Sequence, residues 1–349
     1  MEDDTSPESP APVPLSERLE GIRQLALLRG EGQTHEPVTP PSSIVEELFA
    51  PLGEGATVDK IAYAPSLFAQ LALPYRDPGD LPRWHRTNGA MSLVVNPGVA
   101  VGADGQLRSR YPFGVIPRLL LIWIATEVTM PPHPRELYLG GSLAEFVTRL
   151  GLLPRQGGPR SDRARVVDQV HRLLSASMVV TDRRAGQAHA FRNANGDLGE
   201  PRPSQHTRAE TFTFARSYEL WEAHDDRRVW EGALYLSEEF YDSLRRGALP
   251  LSSAAIAELR LRTRSPLALD IYTWLAHRLH RVERPTVVPW AELAVQFGGT
   301  FSRVRAFKAQ FLAELAHVLV VYPKAKVVPE NGGLRLSRSP APVPPRSGR

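Results

Sequence analysis

The stretch "TFSRVRAFKAQFLAELAHVLVVYPKAKVVPENGGLRLSRS", residues 300–339, decides how this chain is read. It reads as a helix, a strand, a turn and a second strand. Val304, Phe307, Phe311, Leu315 and Val318 fall on one helical stripe, which must face a core. The opposite arc carries Ser302, Arg305, Ala306, Ala309 and Ala313, with Arg303, Lys308 and Gln310 on its flanks. The chain has only four lysines, and Lys308, Lys324 and Lys326 all lie here. Such a face suits the major groove of DNA. Alanines allow close approach and can touch thymine methyls, arginine can grip guanine and glutamine can grip adenine. Lys324, Lys326, Arg335 and Arg338 on the hairpin would meet phosphates, which position a protein without reading sequence. The plainer alternative is a solvated helix, alanine being the best helix former. The concentration of lysine in one helix and hairpin favours DNA contact.

Working back from this stretch, the same order of elements occurs twice. Before it lie a helix over 265–281 with Pro266 near its start, a short strand "PTVV" and a glycine-ended helix over 289–299. Earlier come a helix over 116–128, a strand over 136–139 and a helix from Ser142 stopped by Gly151. A helix over 161–176 and a strand over 178–182 follow. "LAEFVTRLG" (143–151) echoes "WAELAVQFG" (290–298), while Val166, Val170, Leu174 and Met178 parallel Phe307, Phe311, Leu315 and Leu319. Helix, short strand, helix, helix, hairpin is the order of a winged helix, whose third helix enters the major groove. The expected fold is therefore α+β, with two tandem winged-helix domains at 51–248 and 249–340. An acidic, proline-rich disordered tail (1–50) precedes them and a short one (341–349) follows. Residues 63–98 read as strands and turns, and 184–210 as a polar insert.

In the first module Val166, Val170, Leu173 and Leu174 make the buried stripe. Ser161, Arg165, Asp168 and Arg172 then point outwards, flanked by Gln169 and His171. Arg183 and Arg184, just past the strand, are candidates for backbone contact. Asp168 opposes phosphate from the middle of this face, so the second module is the better reader.

Charge is uneven along the chain. Residues 1–50 hold three basic and ten acidic residues, whereas 250–349 hold fifteen basic and six acidic ones. A basic C-terminal region points to an anionic partner, although arginine abundance also accompanies a GC-rich genome. With no cysteine, thiolate metal sites and disulfides are excluded. The apolar window "LLLIWIA" (119–125) is too short to cross a bilayer, and the N-terminus lacks the pattern of a signal peptide. A cytoplasmic protein is expected. Neither a phosphate-binding GxxxxGK[ST] loop nor an HExxH or GxSxG motif occurs. His277 and His280 fit a solvated helix face better than a metal site. Neither catalysis, metal nor cofactor is expected.

Several ordered segments resemble the plasmid-encoded RepA replication initiators of Gram-negative bacteria. Among them are "FAQLALPYRDPG" (68–79), "YPFGVIPRLLLIWIATEV" (111–128), "RELYLGGSLAEFVTRLGL" (135–152) and "LYLSEEFYDSL" (234–244). "SPLALDIYTWLAHRL" (265–279), "VPWAELAVQFG" (288–298), "AFKAQFLAELAHVLVVYPKAKV" (306–327) and "NGGLRL" (331–336) continue the likeness. The resemblance implies tandem winged helices that bind repeated duplex elements (iterons) of a plasmid origin, open an adjacent AT-rich region and recruit host replication proteins. It also implies a switch between homodimer and monomer, with the second module as main reader. Asp168 departs from that pattern and leaves the first module's role open. "QLALL" (24–28) resembles a sliding-clamp docking motif through Gln24, Leu25, Leu27 and Leu28, a leucine-rich helix packing on its own domain being the alternative. A transcriptional repressor built on the same modules and a DNA-nicking enzyme are the competing readings.

Overall fold

The computed structural model describes residues 61–101, 105–140, 142–152, 162–183, 207–220, 232–299 and 303–343. The N-terminal tail, most of the 184–210 insert and residues 344–349 lie outside these.

The apolar run 119–125 becomes part of the central helix. Gly114 takes φ +78°, a left-handed turn that favours glycine, and Pro117 occupies the first turn of α1 (Val115–Thr129). All but two of its residues are buried. A helix apolar on every side must be enclosed on every side, and α1 touches β1 (Ile61–Pro65) and helices from both halves of the chain.

After α1, the expected order appears in the first half as β6 (Glu136–Tyr138), α2 (Leu143–Arg149), α3 (Asp162–Ser175) and β7 (Ser177–Asp182). The Ser142 hydroxyl caps α2 by accepting the Glu145 N–H at 3.1 Å. Gly151 ends the segment at φ +67°. In the second half the order is α6 (Pro266–Arg278), a 3-10 turn (Leu279–Arg281), β12 (Thr286–Pro289), α7 (Trp290–Phe297) and α8 (Val304–Val321). The hairpin β13 (Val327–Pro329) and β14 (Gly333–Leu336) closes it.

The two halves use their strands differently. In the second, one antiparallel sheet runs β12-β14-β13. Gly333 is required there, because a Cβ would come within 2.2 Å of the Val288 carbonyl oxygen on β12. In the first half, β6 pairs with β10 (Gly232–Leu236), which pairs with β9 (Ala215–Leu220). Meanwhile β7 enters a four-stranded sheet, β2-β3-β7-β8, with β2 (Trp84–Asn88), β3 (Met91–Asn96) and β8 (Arg208–Thr213). The bend between β8 and β9 falls at Phe214, whose fully buried ring packs edge-on against Phe240 at 4.9 Å.

Several expectations change. The 66–83 stretch forms turns and irregular backbone rather than strands, and the hairpin β4 (Gly98–Val101) and β5 (Leu107–Arg110) was not foreseen. Met178 lies on β7, whereas its supposed counterpart Leu319 lies in α8, because α8 runs a turn longer than α3. Val304 is 47% exposed, since the first turn of α8 projects past the core that covers Phe307 and Phe311. The segment after α4 (Glu238–Gly247) holds a strand, β11 (Ala248–Ser252), and a helix, α5 (Ser253–Arg262), that periodicity did not reveal. The expected domain boundary at 248/249 thus falls on a strand that pairs with β1. All described residues belong to one compact unit.

A buried ion pair joins the first helices of the two halves. Arg118 of α1 donates through Nε and Nη2 to both carboxylate oxygens of Asp270 on α6, at 2.7 and 2.8 Å. Its remaining donors reach the carbonyl oxygens of Gly114 at 2.6 Å and Leu73 at 2.8 Å. The guanidinium also lies 5.0 Å from the centre of the Tyr75 ring. Burial alone would lower the Arg118 pKa, and the neighbouring Asp270 carboxylate reverses that into a rise. Such a pair is tolerated because every donor is satisfied; removing one partner would strand a buried charge.

Candidate nucleic-acid interface

Helix α8 is set by Phe307, Phe311 and Val318, each 0% exposed, with Leu315 beside them. Trp290 and Phe297 of α7 pack against Phe311 at 6.0 and 5.8 Å between ring centres. Burying each phenyl group stabilises this seat by roughly 1.5–3 kcal/mol. With that stripe fixed, geometry places Arg303, Arg305, Ala306, Ala309, Gln310 and Ala313 in solvent, and all six are exposed. The arc therefore combines small side chains, which allow close approach, with two arginines at its N-terminal end. Ser302 lies outside the described residues.

Two of the candidates are held by neighbours. The Lys308 ammonium rests 4.8 Å from the centre of the Trp290 ring, a cation–π contact that fixes its direction at the flank of the helix. Gln310 donates to Glu314 at 2.6 Å, and the buried Glu314 carboxylate also accepts from the Thr263 hydroxyl at 3.0 Å. Spacing alone foretold neither restraint, although Gln310 and Glu314 stand one helical turn apart.

The hairpin beside α8 presents Lys324, Lys326 and Arg338 as exposed cations. Lys326 is positioned through its backbone, its N–H donating to the Ser339 hydroxyl at 2.9 Å. Arg335 differs from expectation. Although exposed, its Nε donates to the Glu330 carboxylate on the same hairpin, and that bond raises its pKa. Its charge is locally compensated, which makes it a weaker candidate for phosphate contact than the other three. Trp290 Nε1 donates to the Glu330 carbonyl oxygen at 2.9 Å, tying α7 to the turn of the hairpin.

Helix α3 has the same kind of buried stripe, with Val166, Val170, Leu173 and Leu174 all buried, but its other side is enclosed. Gln169 is only 4% exposed; its Oε1 accepts the Phe113 N–H at 2.9 Å. Arg172 donates to Asp168 at 2.7 Å and to Asp77 at 2.9 Å, with its guanidinium 5.1 Å from the Phe113 ring centre. Asp168 is also paired with Arg110 at the end of β5. The expectation that Gln169 and Arg172 border an open face does not hold, because the preceding hairpin and the 111–113 segment fold across it. Arg165 remains exposed and pairs with Asp162 at 3.1 Å. Arg183 is exposed, its N–H donating to the Ala90 carbonyl oxygen at 3.0 Å. Ser161, Arg184 and the motif residues Gln24, Leu25, Leu27 and Leu28 lie outside the described residues.

Among the described residues no helix is long and apolar enough to cross a membrane. Nor is there, among them, a group of three or more His, Cys, Asp or Glu side chains able to hold a metal ion.

A family described as "Plasmid encoded RepA protein" matches residues 111–291. No curated protein matches the sequence. Two crystal structures of domains 2 and 3 of RctB are similar to this chain. The first, a selenomethionine derivative, aligns at 12% identity and a TM-score of 0.47, covering 79% of this chain and 98% of that one. The second aligns at 13% identity and a TM-score of 0.43, covering 77% and 94%.

Proposed function

Because the chain belongs to the plasmid-encoded RepA family, we propose that it is a replication initiator that reads repeated duplex elements of a plasmid origin with the outer face of α8. The order of elements from α6 to β14 supports a winged-helix arrangement, in which α8 enters the major groove and the β13–β14 hairpin follows the backbone. One observation carries the assignment. Arg305, Ala306, Ala309 and Ala313 form an open arc opposite the buried Phe307 and Phe311, with Arg303 exposed on its flank. In this reading Arg305 makes the base contact, while Lys324, Lys326 and Arg338 contact phosphates. Ion-pairing inside α3 supports a supporting role for the first module. The protein acts by binding and by recruiting host replication proteins, without catalysis of its own. Exchange between a homodimer and a DNA-binding monomer belongs to the same reading.

The test is a footprint on the repeated intergenic region of the parent plasmid. Protection of the repeats, lost in Arg305→Ala and retained with unrelated substitutions on α3, is the expected result. Protection that survives Arg305→Ala at every base would remove α8 from the reading role.

A further inference from the structure

A cleft of about 480 Å³ opens where the C-terminal end of α6 meets the turn between β2 and β3. Gln70 and Asn88 form one wall; His277, Arg278, Arg281 and Arg284 supply most of the other. The Asn88 amide donates to the Gln70 carbonyl oxygen at 3.0 Å, which fixes the first wall. On the second wall, Arg281 Nη1 lies 2.6 Å from His277 Nε2, so the imidazole accepts from the guanidinium and is neutral. The Arg278 guanidinium sits 5.9 Å from the Trp274 ring centre. Among the described residues, none of Arg278, Arg281 and Arg284 has a carboxylate at ion-pair distance. Glu283 is the single acid among the lining residues, and Glu292 acts on Arg278 only from further away.

Cations at the end of a helix are ordinarily explained by the helix dipole, which offers roughly half a negative charge. Three guanidiniums exceed that compensation. The excess is felt at His277, where burial and the charges of Arg281, His280 and Arg278 together bring the pKa down to about 4. A concave site with several forked donors and no matching anion is what a phosphate group needs.

We propose that this cleft is a second anion site, in which Arg278, Arg281 and Arg284 hold phosphate groups carried either on a DNA backbone or on a free polyphosphate. Its residues are not those of the α8 face, so it goes beyond the origin-reading assignment and holds whether or not α8 reads sequence.

The experiment uses the full chain, titrated separately with pyrophosphate and with a duplex lacking origin repeats, while His277 is followed by side-chain NMR. A bound anion offsets the arginine charges, so the His277 pKa is expected to rise from about 4 by roughly a unit. Arg281 and Arg284 are exposed, so the double variant Arg281→Ala/Arg284→Ala should melt like the parent. It should bind pyrophosphate at least about tenfold more weakly, or lose roughly 1.8 from the slope of log affinity against log salt on the duplex. Loss in the pyrophosphate arm alone identifies a free polyphosphate as the ligand; loss in the duplex arm identifies the DNA backbone. Arg305→Ala should leave the pyrophosphate arm unchanged, which separates this site from failure of the α8 reading. A double variant with unaltered affinity for both ligands overturns the proposal.

Discussion

Helix α3 presents Asp168, Gln169 and Arg172 to segments that precede it in the chain, where Arg110, Phe113 and Asp77 engage them. Helix α8 holds the corresponding place in the second half, yet its arc of Arg305, Ala306, Ala309 and Ala313 is exposed. Both helices follow a strand and a short helix, and both bury a stripe of four residues. What separates them lies outside the helices: the first half carries the β4–β5 hairpin and the 111–113 segment, and among the described residues the second has nothing in that position. A polar helix face can therefore mean water in one half of the chain and an internal ion network in the other. Periodicity gives the side that seeks a core but does not show what covers the opposite side.

Breaking the joint between the halves should give the largest effect. Asp270→Ala leaves Arg118 charged and unpaired between α1 and α6, and should cost about 3–5 kcal/mol in urea unfolding. One cooperative transition is expected, because the pair belongs to both halves; two separated transitions would mean that the halves unfold independently.

The next tests act on the two helices themselves. Arg305→Ala should weaken specific binding by roughly 1–3 kcal/mol at one base position and leave the melting temperature unaltered. Asp168→Ala should do the reverse. It leaves Arg110 without its carboxylate and Arg172 with Asp77 alone at a partly exposed site, so stability should fall by about 1–2 kcal/mol while the base preference persists. A base-specific defect in Asp168→Ala, measured by competition between mutated sites, would make α3 a reader after all.

A pH experiment probes the end of α6. His277 has a folded pKa of about 4, below its ordinary value of 6.5, so the unfolded chain takes up the proton first. Stability is then fully present above pH 6.5 and is lost as pH falls towards 4. Partial exposure screens the effect, leaving about 1–2 kcal/mol. His277→Gln should flatten that portion of the stability profile in denaturant titrations at stepped pH. The smallest effect is expected at the hairpin: Lys324→Ala should weaken all DNA sequences alike and reduce the salt slope by roughly 0.9.

Much of this architecture is legible in the residues. The caps at Ser142 and Gly151, Pro266 at the start of α6 and the stripe of Phe307, Phe311, Leu315 and Val318 each mark local geometry, which short-range sterics and hydrophobic periodicity determine. Strand β11 and helix α5 were harder to see. The strand is short, and α5 lacks a clean apolar face because Leu261 lies exposed on the side away from the buried Ile256 and Leu259. The pairing of Arg335 with Glu330 within one hairpin, and the rest of Lys308 on Trp290, needed the tertiary arrangement.

By itself the sequence determined where most of the helices start and stop, most of the stripe that each of these buries and that the basic residues gather near the C-terminus. All of these follow from neighbours a few positions apart. Only the tertiary structure decided that Arg118 meets Asp270, that β7 joins a sheet with β3 rather than with β6, and that α3 is largely covered while the outer arc of α8 is exposed. Those outcomes depend on contacts between residues far apart in the chain, where no local preference of the backbone or side chain specifies the partner.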